Sequence, residues 1–199
     1  MTPASDHPHA QRVPMSEEQI QAAFVGGLEP HSAPIRLVDH DPSWPSLFAR
    51  EAERIRAALG DRVVMLEHTG STSVPGLAAK PIIDMLLVVP DSGDEPSYVP
   101  SLEAAGYVLR IREPEWYQHR CFKGPDTNVN LHVLSRGCEE IERVLLFRDR
   151  LRSVPAEREL YERTKRELAA RAWRHVQNYA DAKTEVVEAI IARARTARG

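Results

Sequence analysis

Residues 67–84 read EHTGSTSVPGLAAKPIID, and the polar groups in this stretch are of the kinds that handle phosphate or metal. Gly70 and Ser71 follow an apolar run. A glycine there lets the backbone come close to a ligand while the amides of the next residues point at an anion. Ser71, Thr72 and Ser73 add hydroxyl donors and Lys80 adds a positive charge, so the segment could cradle a phosphate. It contains no G-x-x-x-x-G-K-[ST] loop. The competing reading is a tight turn whose hydroxyls cap a helix starting near Val74.

Asp84 raises a sharper question, because it is the only charge in the apolar run IIDMLLVV. Strand alternation puts it on one face with Ile82, Leu86 and Val88, opposite Ile83, Met85 and Leu87. Burying an unpaired carboxylate costs several kcal/mol, so Asp84 must meet a cation, meet a metal or emerge at a cleft. An ion pair with Lys80 or an arginine would be a purely structural answer. Glu67 and His68 end the preceding run, and alternation turns one of them toward the same side. On the later helices, Tyr161 with Lys165 and Tyr179 with Lys183 stand four residues apart, which brings a ring and an ammonium to one helical face. These pairs could line a cleft or belong to a solvated surface. Arg120, beside His119, is a further candidate for facing phosphate.

The elements that must position these groups follow from periodicity. A helix is predicted from about Pro45 to Leu59, with Phe48, Ala52, Ile55 and Leu59 at helical spacing and Gly60 ending it. RVVMLEH and IIDMLLVV read as strands, the second too continuously apolar to be half exposed. A helix around VPSLEAAG and strands at YVLRI, QHRCF and VNLHVL come next, with turns such as KGPD between them. From Cys138 onward the pattern is helical, over 138–152, 155–171 and about 176–195. IRLVDHD suggests a short strand at 36–42. Residues 1–34, rich in proline and without sustained periodicity, read as a flexible tail with one helical turn at SEEQIQAAF. The expected architecture is α+β: a mixed sheet with a C-terminal helical cap, as one domain over 35–199.

Lys and Arg total 26 against 29 Asp and Glu, so no global positive field points to nucleic acid. Cys121 and Cys138 match no paired metal-ligand spacing and no disulfide framework. With no signal-peptide pattern and no run long enough to span a membrane, the expectation is a cytoplasmic protein without a membrane partner.

The Gly-Ser turn, a spacer of about a dozen residues and an aspartate opening an apolar strand resemble the nucleotidyltransferase superfamily motif, h-G-[GS] followed by D-h-[DE]-h. The closer resemblance is to the GrpB family of nucleotidyltransferase-like proteins. It rests on EHTGSTSVPGLAAKPIID, LHV (131–133), LLFRDRLR (145–152), YERTKRELA (161–169) and YADAKTEVVEAI (179–190). The resemblance implies a phosphate turn at Gly70, Ser71, Thr72 and Ser73, with Lys80, Arg148 and Lys165 toward the phosphates of a nucleotide. It implies Asp84 as the catalytic carboxylate and first metal ligand. Where the motif carries its second carboxylate this chain has Leu86, so His132, with Glu67, would have to complete the metal shell. The metal implied is Mg²⁺, or Mn²⁺ where imidazole joins the shell. The implied reaction is nucleotidyl transfer to a small acceptor. Alternatives are a non-catalytic module for a nucleotide or CoA-type ligand, since the family also occurs fused to dephospho-CoA kinase and so near coenzyme A metabolism, or a metal-dependent phosphohydrolase.

Overall fold

The computed structural model describes residues 16–27, 35–173 and 175–198. Five strands form one mixed sheet: β1 (Met65–Thr69), β2 (Ile83–Val89), β3 (Val108–Glu113), β4 (His119–Lys123) and β5 (Val129–Ser135), in the order β1-β2-β5-β4-β3. The β2–β5 pair is parallel and the other pairs are antiparallel. The seven helices among the described residues are α1 (Glu17–Ala23), α2 (Trp44–Leu59), α3 (Val99–Ala104), α4 (Glu139–Ser153), α5 (Pro155–Ala169), α6 (Val176–Asp181) and α7 (Thr184–Thr196). None is long and apolar enough to cross a membrane.

Each face of the sheet is covered differently. Ile83, Met85, Leu87 and Val89 pack with Leu131 and Val133 against Ala52, Ile55 and Leu59 of α2 and Leu102 of α3, which makes the main core. On the opposite face Leu86, Val88 and Leu134 are covered by Ile141, Val144 and Leu145 of α4. The alternation expected for β2 is thus observed, with Asp84 on the α4 side. The apolar cover on that side does not reach the beginning of β2. There the connection 70–82 leaves the sheet, and its Val74 and Leu77 pack onto Leu151, Tyr161 and Ile190 of the C-terminal helices.

The expected strand at 36–42 is reduced to one bridge, in which Val38 and Ala79 exchange backbone hydrogen bonds of 2.8 and 2.9 Å. Pro42 and Pro45, which have no amide hydrogen, follow too closely for a ladder to extend. The last helix, expected as one element, is two. At their junction the Lys183 amide bonds to the carbonyl of Ala180 three residues back, a tightened turn. Residues 71–73 form a single 3₁₀ turn where a helix beginning near Val74 was the competing reading. Of the N-terminal tail, residues 1–15 and 28–34 lie outside the described residues. The helical turn expected at SEEQIQAAF is α1, whose Ser16 and Gln19 form a reciprocal cap.

One buried ionic network ties α2 to the strand connections. Glu51 is fully buried and accepts hydrogen bonds from Tyr107 Oη (2.6 Å) and Thr127 Oγ1 (2.7 Å), with Arg54 3.4 Å away. Truncating one member of such a network strands the others. Glu51→Ala is expected to lower unfolding stability by about 3 kcal/mol, measured by urea denaturation, while Arg54→Ala on the more exposed side should cost about 1 kcal/mol or less.

Candidate functional site

Asp84 is one position in a polar row that runs across four strands. Register pairs Thr69 with Asp84, Asp84 with Asn130, and Asn130 with Lys123. Directly opposed residues on neighbouring strands share a face, so this row is the reason the charge can sit there. Asn130 Nδ2 donates to Asp84 Oδ1 at 2.8 Å, and Asn130 Oδ1 accepts from Lys123 Nζ at 2.6 Å. The amide thus passes part of the lysine's charge to the carboxylate without direct contact. The Asp84 side chain keeps 30% of its surface accessible. Burial pushes its pKa up, and the Asn130 bond followed by the charges of Lys80, Lys183 and Lys123 pulls it back.

The Gly-Ser turn lies against this carboxylate. Gly70 adopts φ +63°, and a Cβ built there would stand 2.3 Å from Asp84 Oδ2. Glycine is therefore required twice, for its backbone angle and for the space Asp84 occupies. The three hydroxyls divide their work. Ser73 Oγ donates to the Gly70 carbonyl at 2.7 Å and Thr72 Oγ1 to the Ile82 carbonyl at 3.1 Å, so both close the loop from within. Ser71 Oγ faces the basic groups, receiving a 3.0 Å hydrogen bond from Lys165 Nζ.

Three lysines gather beside that serine. Lys165 is only 2% exposed and also donates to the Ala78 carbonyl; its Nζ stands 4.9 Å from the Tyr161 ring centre. Lys80 and Lys183 lie against the one ring of Tyr179, at 5.6 and 4.6 Å. The tightened turn between α6 and α7 puts Lys183 over that ring, four residues from the tyrosine. Burial, then the charge of Lys183, lowers the pKa of Lys165 to about 7 and that of Lys80 to about 8. Burial lowers Lys183 to about 8 against the opposing pull of Asp84 and Asp181. Partly buried cations that destabilise one another form a site short of negative charge.

The remaining sequence candidates are placed elsewhere. Glu67 shares the Asp84 face, but its carboxylate receives Arg148 Nη1 at 2.7 Å. Arg148 also donates to Asp149 and to the His68 carbonyl, so both residues serve to fasten α4 to β1. His68 stacks on Phe48 and bonds Thr72 Oγ1 at 3.1 Å; burial, then Arg152 and Arg148, lowers its pKa to about 4, so the ring is neutral. Arg120 sits on the opposite face of the sheet, held by Glu95. His132 does reach Asp84, with its Nε2 3.9 Å from Oδ1. Asn130, Lys123 and the Lys183–Tyr179 pair complete the site. Of these, Lys123 carried no signal in the sequence, because only strand register brings it to the row.

Asp84 and His132 are the metal-capable donors brought together, while the intervening amide turns its NH₂ group toward Asp84. Among the described residues no group of three or more His, Cys, Asp or Glu side chains could hold a metal ion. With three or four lysines nearby, this donor set does not fit a divalent centre held by the protein alone. A separate groove of about 560 Å³ lies on the outer side of the turn, between Phe48, His68, Arg152 and Arg158. It includes neither Asp84 nor the lysine cluster.

The sheet, its polar row and the glycine-bound turn beneath a helical cap define an α+β protein of one specific type. The chain belongs to the GrpB protein family, which it matches over residues 34–193. It is 56% identical over 194 residues to UPF0157 protein BH1888 of Halalkalibacterium halodurans, covering 98% of both chains. It is 45% identical to UPF0157 protein SCO7215 of Streptomyces coelicolor, covering 88% of this chain and 91% of that one. A dephospho-CoA kinase of Mycolicibacterium paratuberculosis is 30% identical over 177 residues, 76% of this chain but 44% of that protein. The crystal structure of GrpB from Enterococcus faecalis superposes with a TM-score of 0.70 at 31% identity, over 80% of this chain and 96% of that one.

The contact between the turn and the carboxylate gives a direct test. Gly70→Ala is expected to destabilise the fold by about 2–4 kcal/mol, from backbone strain and collision with Asp84 together. In an Asp84→Ala background the penalty should shrink, because the carboxylate atoms nearest the new methyl are gone. Equal penalties in both backgrounds, read from denaturation curves, would contradict the contact.

Proposed function

We propose that the cleft binds the phosphates of a nucleotide-type small molecule through Lys80, Lys165, Lys183 and the Ser71 hydroxyl, and that Asp84 faces the reacting part of that ligand. The observation that carries this reading is the lysine cluster itself. Buried ammonium groups with depressed pKa values gain most from an anion, since each charge an anion supplies relieves both desolvation and mutual repulsion. Lys80 and Lys183 share the Tyr179 ring as a common neighbour. The resemblance to nucleotidyltransferases supports, as the reaction class, transfer of a nucleotidyl group to a small acceptor. A divalent ion, Mg²⁺ or Mn²⁺, would accompany the ligand's phosphates and neutralise charge on them.

A second reading, a binding module for a nucleotide or CoA-type ligand without catalysis, is favoured by Leu86 in the place of a second carboxylate. The similarity to a protein named dephospho-CoA kinase points the same way. Both readings use the same lysines and differ in whether a bond to phosphorus breaks.

Thermal-shift titrations with ATP, and separately with coenzyme A, test the shared part. Lys183→Ala and Lys80→Ala are each expected to weaken ATP binding about tenfold or more, whereas Arg148→Ala should leave it near wild type. Asp84→Asn is expected to retain or strengthen phosphate binding, because a negative charge leaves the cleft. Release of pyrophosphate from ATP in the presence of an acceptor separates the transferase from the binding module.

The pH dependence has a definite sign. Lys165, Lys80 and Lys183 have folded-state pKa values of about 7, 8 and 8, below the value of about 10.4 for an exposed lysine. Anion affinity is therefore greatest below pH 7 and declines as pH rises through 7–9. The unliganded fold behaves in the opposite way: between pH 7 and 10 the unfolded chain binds more protons, so stability rises with pH. Melting temperatures with and without ATP should converge toward pH 9. A gap that widens with pH would reject the assignment.

A further inference from the structure

We infer that the groove on the outer side of the turn is a second binding site, built for a small monocarboxylate with an apolar or aromatic body. It stands apart from the lysine reading, because it uses none of the residues assigned there.

Arg152 supplies the first part of the site. Its Nε and Nη2 both donate to the Ser73 carbonyl, at 3.0 and 2.9 Å, so the guanidinium is held along one edge. A guanidinium has more N–H donors than this carbonyl uses. Asp149, its ion-pair partner, stands 3.7 Å from Nη1, too far for a hydrogen bond. The Nη1–Nη2 end of the fork therefore remains open. That end can receive the two oxygens of a carboxylate in parallel. Since the Ser73 carbonyl already orients the plane, an arriving anion has less side-chain freedom to remove.

Arg158, near the start of α5, brings a second cation to the same groove. It is half-buried, and among the described residues it has no hydrogen-bond or ion-pair partner. A guanidinium partly withdrawn from water gains from an anion what solvent no longer fully supplies.

The local charges set the valence of the ligand. Arg148, Arg152 and Arg158 are the cations around the groove. Glu67 and Asp149, which accept from Arg148 at 2.7 and 2.8 Å, are the anions. One positive charge is left, which a carboxylate cancels and a phosphate dianion exceeds. Burial, then the charge of Arg148, lowers the pKa of Arg152, in keeping with a cation that has too few negative neighbours.

The body of the ligand follows from the rest of the wall, where Pro45, Phe48 and Pro75 present apolar surface. The Phe48 ring is stacked on His68, with centroids 4.8 Å apart and planes inclined by 6°, so its orientation is set in advance. A volume of about 560 Å³ falls in the range of small-molecule sites. An inorganic anion would satisfy the arginines and leave the apolar wall wet, and a neutral aromatic alcohol would do the reverse. A molecule with an acidic end and an apolar end uses both.

Phenylacetate is the probe, followed by ligand-observed NMR with the full chain. It is expected to bind at roughly millimolar concentration or below, with phenylethanol and inorganic phosphate at least about tenfold weaker. Arg158→Gln alters a residue without a partner in the fold, so it should keep the wild-type melting temperature while weakening phenylacetate about tenfold. Arg152→Lys, which keeps the charge and loses the fork, should weaken it to a similar degree. Equal binding of the acid and the alcohol, wild-type affinity in Arg158→Gln, or no binding of phenylacetate at millimolar concentration overturns the inference. Displacement of phenylacetate by ATP overturns it too, since the groove would then belong to the phosphate site.

Discussion

A carboxylate on the face of an otherwise apolar sheet governs how this protein is built. Asp84 is tolerated because its neighbours in the sheet are arranged around it: an amide on β5 that donates to it, a lysine on β4 behind that amide, and a glycine whose missing side chain leaves room for its oxygen. An isolated ion in that position would cost several kcal/mol. The row spreads the compensation over three strands, and the outcome is a charge whose burial is partly offset and which is still open to a ligand. Had a guanidinium closed directly onto Asp84, the site would be satisfied and inert.

The helical cap serves the same end from the other side. The Ala78 peptide is gripped at both ends by α5, its amide by Glu162 at 3.1 Å and its carbonyl by Lys165. Arg152 of α4 donates twice to the Ser73 carbonyl, at 3.0 and 2.9 Å. Charged donors on backbone carbonyls contribute more than exposed ion pairs, which are worth little in water. These contacts, and not the many surface pairs of α4, α5 and α7, are what give the connection 70–82 its shape. Lys165 has two duties, bracing the loop and lending its charge to the cleft.

How much of this was legible in the sequence depended on whether the signal was local. The helices over 45–59 and 138–171 and the alternation along β2 are set by neighbours in the chain and were readable from periodicity. So were Gly70, Asp84 and the two Tyr-Lys pairs, since spacing alone places ring and ammonium together. Lys123, and Asn130 as a donor, depend on strand register, which joins residues far apart in sequence and leaves no periodic trace. The family resemblance put Arg148 toward the phosphates and Glu67 in the metal shell. They pair with each other instead, because α4 packs against β1. The break at Lys183 was missed because neither glycine nor proline marks it.

After α1 the chain turns alongside β3, with Phe24 bridging to Ile111 and the Val25 amide bonding the Arg110 carbonyl at 2.9 Å. Beta strands at the rim of a sheet invite pairing with other chains. Here a short piece of the N-terminal region occupies part of that rim. The segment thus shields the molecule against sheet-to-sheet aggregation.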